Sequence, residues 1–194
     1  MTSYDSAVIF TGGKSSRMGE DKSLLPFGGE KTLAEYQYKK LKKVFPSVYL
    51  SAKNEKFDFD CPVILDNYID SSPLVAILSI FETLEIERLF ILSVDAPFVD
   101  EEVIQKIIEE DTEDVDAIVA NSPSGLQPLC GLYKKSIVKL AQQQYDKKNH
   151  KLKDLLSLAR TKTVEFSEDT PFTNLNHPEE YTKALALSLS QACS

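Results

Sequence analysis

Between residues 10 and 22 the chain reads Phe-Thr-Gly-Gly-Lys-Ser-Ser-Arg-Met-Gly-Glu-Asp-Lys, with three glycines (Gly12, Gly13, Gly19) and three cations (Lys14, Arg17, Lys22). Glycine admits a backbone with φ > 0 and lets a ligand approach with no Cβ in the way. Successive N–H groups in such a turn form an anion-binding concavity, and the cations neutralise a polyphosphate. A second chemically useful group is Asp95, in Leu92-Ser93-Val94-Asp95-Ala96-Pro97-Phe98. Phosphoryl and nucleotidyl transfer uses a divalent cation, commonly Mg2+, held by one or two carboxylates and the substrate's phosphates. Together the loop and the carboxylate point to a nucleoside triphosphate site with Mg2+ at Asp95. Taken separately, each has a plainer reading: the loop as solvated surface, and Asp95 as a cap for a helix at 100–109 or an Asx turn.

Two well-known phosphate loops do not fit. A P-loop needs glycine five positions before Gly13, where the chain has Val8; the dinucleotide fingerprint needs glycine at positions 14 and 17, which are Lys14 and Arg17.

The elements that must position these groups follow from apolar patterning. Short apolar runs at 7–10, 48–52, 63–65, 89–94, 117–120 and 129–133 read as strands, and 32–45, 74–84, 100–109 and 135–145 as helices. Pro46 stops the first helix, and Ser72-Pro73 caps the second. The lysine-rich stretch 146–153 reads as the most mobile segment, with His150 exposed. Pro178-Glu179-Glu180 reads as a first helical turn, with Asn176 or His177 as its cap. Strand–helix alternation implies an α/β fold with an open, mostly parallel sheet. Ligands of such sheets sit outside the carboxyl ends of the strands. The residues expected there are the glycine loop, Ser51, Asp66 and Asp95. Asp66 can accept from guanine N1–H and N2–H2 or from ribose; the alternative is a turn residue in Asp66-Asn67-Tyr68.

The 194 residues favour one domain spanning 1–194, and 42% hydrophobic residues suffice for its core. A net charge of −8 argues against nucleic acid or an anionic membrane surface as partner. The stretch 11–22 runs against that trend, with three cations to two anions, which suits a small anionic ligand. Cys61, Cys130 and Cys193 are far apart and only two histidines are present, so a zinc site or disulfide framework is not expected. Neither a basic, apolar leader nor an apolar run near the ~18 residues of a membrane span is evident. The expectation is a cytoplasmic protein with reduced thiols.

The loop pattern G-G-x-S-x-R-M-G-x-D-K resembles that of the nucleotidyltransferases that activate small molecules with an NTP, and most closely the molybdenum cofactor guanylyltransferases. The Asp95-Ala96-Pro97-Phe98 form resembles that family's metal-site motif, and Asn174-Leu175-Asn176-His177-Pro178-Glu179 its Asn-x-Asn-x-Pro-Glu element. Gln127 to Tyr133 is similar to a family segment lining the acceptor side. The resemblance runs from Ala7 to about Tyr181. It implies a three-layer, Rossmann-like nucleotidyltransferase fold and transfer of GMP from Mg·GTP to the terminal phosphate of molybdopterin, with pyrophosphate released. Carried across, Phe10, Thr11, Gly12 and Gly13 face the nucleotide, Lys22 meets its phosphates, and Asp95 holds Mg2+. Asp66 takes a nucleotide-contacting position, and Ser51 one where a family member carries Asn. Gln127, Asn174 and Asn176 fall on the acceptor side. Arg17 is assigned to the leaving pyrophosphate on its charge and position.

The chain departs from the family at Thr11, where Ala is usual, and at Ser72-Pro73-Leu74-Val75-Ala76, where G-P-L-x-G loses both glycines. Guanine selectivity is therefore less firmly implied than nucleotidyl transfer. Transfer of CMP or another nucleotide to a phosphorylated metabolite, and a cofactor carrier without chemistry, remain the alternatives. Transient contact with cofactor-synthesis or acceptor proteins suits a labile product.

Overall fold

A computed structural model describes residues 6–12, 21–70 and 72–192. Gly13 and Arg17 lie outside the described residues. Seven strands form one sheet in the order β3-β2-β1-β4-β6-β5-β7: β1 Ser6–Phe10, β2 Ser47–Ala52, β3 Val63–Leu65, β4 Arg88–Ser93, β5 Ala117–Ser122, β6 Gly125–Lys134 and β7 Thr161–Glu165. β6 runs antiparallel to β4 and β5, and every other neighbouring pair is parallel. The helices are α1 Leu33–Leu41, α2 Pro73–Thr83, α3 Glu101–Glu109, α4 Val138–Asp146, α5 Leu152–Leu158 and α6 Pro178–Ala192.

Alternation along the strands divides the core into two layers. Ala7, Ile9, Phe90 and Leu92 point to one face, with Leu33 and Leu41 of α1, Ile104 and Ile107 of α3 and Ala184 of α6. Val8, Phe10, Leu89 and Ile91 point to the other, with α2, Ala141 of α4 and Leu155 of α5. A strand covered on both faces needs apolar residues throughout, which explains the unbroken apolar runs of β1 and β4. The mostly parallel three-layer α/β arrangement is the expected one.

Local chemistry sets the helix limits. Thr32 accepts from Glu35 N (3.0 Å) and caps α1. The expected helix at 32–45 is shorter: α1 ends at Leu41, and a turn brings Phe45 back with its N donating to Leu41 O (2.9 Å). Phe45 thereby stacks on Phe90 at 5.4 Å between centroids. Ser72 caps α2 by accepting from Val75 N, with Pro73 in its first turn. The cap of α3 is Asp100, not Asp95.

Two elements carry no strong apolar signal. β7 reads Thr-Lys-Thr-Val-Glu and lies at the sheet edge, where one face and one side meet water. α5 has only seven residues and begins inside the lysine-rich stretch. That stretch is a built turn rather than a free segment. Asn149 donates to Gln144 Oε1 (3.0 Å) and Asp154 Oδ2 (2.9 Å), and Lys148 adopts the left-handed conformation at φ 57°. β6 extends well beyond 129–133 because its first half pairs in a hairpin turned by Gly125 (φ +109°), a pairing that needs no apolar run.

Gly131 sits where β6 crosses β5. A Cβ there would lie 2.5 Å from Ile118 O and 2.7 Å from Val119 Cγ1. Gly131→Ala is expected to lower stability by about 1–3 kcal/mol, the usual range for overpacking. Urea unfolding measures it, and a change within ~0.5 kcal/mol would contradict this β5–β6 packing.

Candidate active site

The carboxyl ends of β1, β2 and β3 and the start of α2 surround a cavity of about 410 Å³. Phe10, Thr11, Gly12, Ser51, Asp66, Ser72 and Ala76 line it, so the expected residues of four separate chain segments come together. A second cavity, of about 180 Å³, lies beyond the end of β4, with Asp95, Gln127, Cys130, Phe172 and Asn174 in its wall.

The dipeptide Asp21-Lys22 joins the two. Asp21 lines the first cavity. Lys22 Nζ reaches Asp95 Oδ2 at 3.4 Å and Asn176 Oδ1 at 3.0 Å. The Lys22 and Asp95 side chains keep 15% and 21% of their exposure, so the pair is accessible to a ligand. Asp95 Oδ1 accepts from Ser93 Oγ (2.6 Å), which fixes one carboxylate oxygen. Asp95 O accepts from Leu175 N (2.9 Å), and this main-chain bond brings Asn174 and Asn176 to the site.

The expected cap of α6 is reversed. Glu180 Oε2 accepts from the N–H groups of Asn176 (2.7 Å) and His177 (2.8 Å), which leaves the Asn176 amide free to meet Lys22. Gln127 Nε2 donates to Ser122 Oγ (3.1 Å) and Gly125 O (3.2 Å), so its nitrogen serves the hairpin. Burial pushes the Cys130 thiol up to about 12, which removes it as a nucleophile.

In the first cavity, Thr11 Oγ1 donates to Ser51 O (2.7 Å). The hydroxyl that distinguishes Thr11 from alanine is therefore spent on β2 and is no obstacle to a ligand. Asp66 Oδ1 is buried and has no hydrogen-bond partner among the described residues. Burial raises the pKa of Asp66, while the charge of Lys53 opposes the rise. A buried acceptor without a donor beside a cavity suits a ligand carrying N–H or O–H groups. Ser72 Oγ, besides capping α2, lies 3.1 Å from His150 Nδ1, and the imidazole packs edge-on against Tyr145. His150 is thus half-buried, not exposed as expected.

Sequence reasoning missed Asp21, Lys53, Asn54 and Lys56, all of which line the first cavity. Lys53, Asn54 and Lys56 follow β2 directly, so the rule that ligands gather at strand carboxyl ends contained the signal. Lys56 Nζ contacts Asp21 Oδ2 (2.6 Å) and Thr11 O (3.4 Å). Burial acts to raise the pKa of Asp21, but hydrogen bonds from Lys56 and Ser23 outweigh it and hold the carboxyl below its ordinary value.

Residues 7–164 match the family model for the MobA-like NTP transferase domain. The chain belongs to this family. It is 39% identical over 178 residues to a molybdenum cofactor guanylyltransferase of Campylobacter jejuni, covering 91% of this chain and 93% of that one. A molybdenum cofactor guanylyltransferase of Helicobacter pylori strain P12 is 30% identical over 191 residues, covering 95% and 94%. Among solved structures, a protein of Aquifex aeolicus VF5 superposes with a TM-score of 0.75 at 30% identity, over 88% of this chain and 92% of that one. Molybdopterin-guanine dinucleotide biosynthesis protein A of Archaeoglobus fulgidus gives a TM-score of 0.80 over 95% and 99%, at 19% identity, and shares the fold.

For an NTP transferase, a carboxylate such as Asp21 would repel a nucleotide placed in the first cavity unless paired, and Lys56 is its partner. Lys56→Met is expected to raise the KM for the nucleotide about tenfold, and Asp21→Asn in the same chain to recover most of the loss. Steady-state kinetics of the single and double variants check this. An unchanged KM in Lys56→Met would remove the pair from nucleotide binding.

Proposed function

We propose that the chain, acting as a single nucleotidyltransferase domain, transfers GMP from GTP to the terminal phosphate of the molybdopterin cofactor. The products are the guanine dinucleotide cofactor and pyrophosphate. The observation that carries the reading is the Lys22–Asp95 pair between two cavities, in a chain 39% identical to a guanylyltransferase over most of its length. The larger cavity falls in the size range of small-molecule sites and receives the nucleotide. The acceptor enters from the side of Gln127, Asn174 and Asn176.

The acceptor's phosphate oxygen attacks the α-phosphorus of GTP, and the bond from that phosphorus to the bridging oxygen of the β-phosphate breaks. The electron pair leaves on pyrophosphate. A phosphate nucleophile is already ionised at neutral pH, so no strong general base is required, and alignment and charge neutralisation are the main tasks. Lys22 supplies an ammonium to the phosphates, and Asn176 Oδ1 (3.0 Å) keeps that ammonium directed into the site.

Asp95 fits a divalent cation. It is a hard oxygen donor whose Oδ2 has only a loose contact with Lys22, at 3.4 Å. Among the described residues no three His, Cys, Asp or Glu side chains come together, and Mg2+ is commonly bound through one or two carboxylates plus substrate phosphates. When bound at Asp95, Mg2+ would offset the charge of the triphosphate.

The unpartnered Asp66 Oδ1 supports a base or ribose with donors, guanine N1–H and N2–H2 among them. Ser72 and Ala76 in the same cavity keep transfer of CMP as the second reading. No helix of the described residues is long and apolar enough to cross a membrane. The substrates are small molecules of the cell interior, so cytoplasmic residence and transient contact with cofactor-handling proteins belong to the same proposal.

Purified protein with Mg2+, molybdopterin and each of GTP, CTP, ATP and UTP is expected to release pyrophosphate with GTP alone. Release mainly with CTP would replace the base, and no release with any nucleotide would favour a carrier. Asp95→Asn is expected to lower turnover about 10²–10³-fold with nucleotide affinity little changed. Parental turnover with Mg2+ limiting would remove Asp95 from the reaction.

A further inference from the structure

Gln37 of α1 has no solvent exposure. Burial of a side-chain amide is unfavourable unless its groups are bonded. Its Nε2 faces three main-chain carbonyls: Ser93 O (3.4 Å), Val94 O (3.3 Å) and Ala96 O (3.0 Å). Three acceptors around one end of the amide dictate that this end is the nitrogen. Gln37 Oε1 is buried with no partner among the described residues. An unsatisfied buried acceptor costs about 1–3 kcal/mol, so the contact with the carbonyls is held against a penalty.

One turn further along the same face of α1, Lys40 Nζ donates to Pro97 O (2.8 Å). The remaining carbonyl of the segment, Asp95 O, accepts from Leu175 N (2.9 Å). Every carbonyl from Ser93 to Pro97 therefore meets a donor: the two N–H groups of Gln37 are shared among Ser93, Val94 and Ala96 O, Ser93 O also accepts from Ala96 N (3.3 Å), and Lys40 meets Pro97 O. β4 ends at Ser93, and after one further bond to β1, Val94 N to Phe10 O (3.0 Å), the sheet no longer fixes the backbone. Ser93 Oγ, Lys22 and Leu175 N hold Asp95 itself, and α1 holds the carbonyls on either side of it.

We propose that Gln37, supported by Lys40, is a positioning residue for Asp95 that sets how its carboxylate faces the reacting phosphates. The proposal rests on the assignment of Asp95 to the reaction made above. Neither residue touches a substrate cavity. Their effect passes through the main chain of the turn, and a misplacement of about 1 Å in a reacting group can cost ~10²-fold in rate.

The test uses Gln37→Met, which keeps the length and loses the donor, with Lys40→Met as the second variant should the first not fold. Both are compared with Asp95→Ala well below their melting temperatures. Gln37→Met is expected to lower kcat about ten- to hundredfold while the KM for GTP stays within about threefold. Amide exchange should speed up at Val94 and Ala96, and Mn2+ affinity of the protein–GTP complex, read by electron paramagnetic resonance without acceptor, should weaken about tenfold. A lowered melting temperature with parental kcat, exchange and Mn2+ affinity would make Gln37 a core residue only and overturn the proposal. Parental turnover in Asp95→Ala would instead overturn the assignment of Asp95, whatever Gln37 does.

Discussion

Burial of β1 and β4 on both faces is the constraint from which the site follows. Val8, Ile9, Phe90, Ile91 and Leu92 are wholly buried, so no polar group can leave these strands sideways. Chemistry is confined to their carboxyl ends, where the ladder stops and main-chain groups need other partners. Thr11, one residue past β1, meets that need by bonding Ser51 O through both N (3.1 Å) and Oγ1 (2.7 Å). Asp95, two residues past β4, meets it through Leu175 N, and the next two residues, Ala96 and Pro97, through the donors of α1. The same termination that creates orphan carbonyls brings distant segments to one place.

Charge is the second problem, because the proposed reactants are both anionic and the chain itself carries −8. The site brings ammonium groups to the cavities, Lys53 and Lys56 at the first and Lys22 beside Asp95, and two of them are set by carboxylates, Lys56 by Asp21 and Lys22 by Asp95. These pairs are worth little as stabilisers at partial exposure. Their value is orientation: each lysine is held beside a cavity, and its long side chain has less freedom left to lose when a phosphate arrives. Asp21 and Lys22 are adjacent in sequence yet reach opposite ways, one to the β2–β3 connection and one to the end of β4. A single dipeptide thus ties the ends of both halves of the sheet to the close of the glycine-rich segment.

Strand–helix alternation and the buried strands were legible in the sequence, because apolar runs are the direct consequence of two-sided burial. Asp66 and Asp95 were legible as strand-end carboxylates, as was Lys22 from its motif. β7 and α5 were not, since Thr161 to Glu165 meets solvent on an edge and Leu152 to Leu158 is too short for a periodic signal. Lys56 was hidden for another reason: a lysine in a loop looks like solvated charge until the structure sets Asp21 against it. Gln37 was harder still. It occupies a helix that also carries Glu35, Lys39 and Lys40, and only the approach of the turn after β4 explains a buried amide there.

Among the described residues, Gln37 Oε1 and Asp66 Oδ1 are both buried acceptors without a donor, but they differ in what surrounds them. Asp66 opens onto the larger cavity, so a ligand can supply the missing hydrogen and gain affinity by doing so. Gln37 lines neither cavity, and no substrate can satisfy it. An orphan atom that a ligand completes is a recognition feature. One that nothing completes persists only if the rest of the residue does something worth the loss, and for Gln37 that is the hold of its nitrogen on three carbonyls of the turn that carries Asp95.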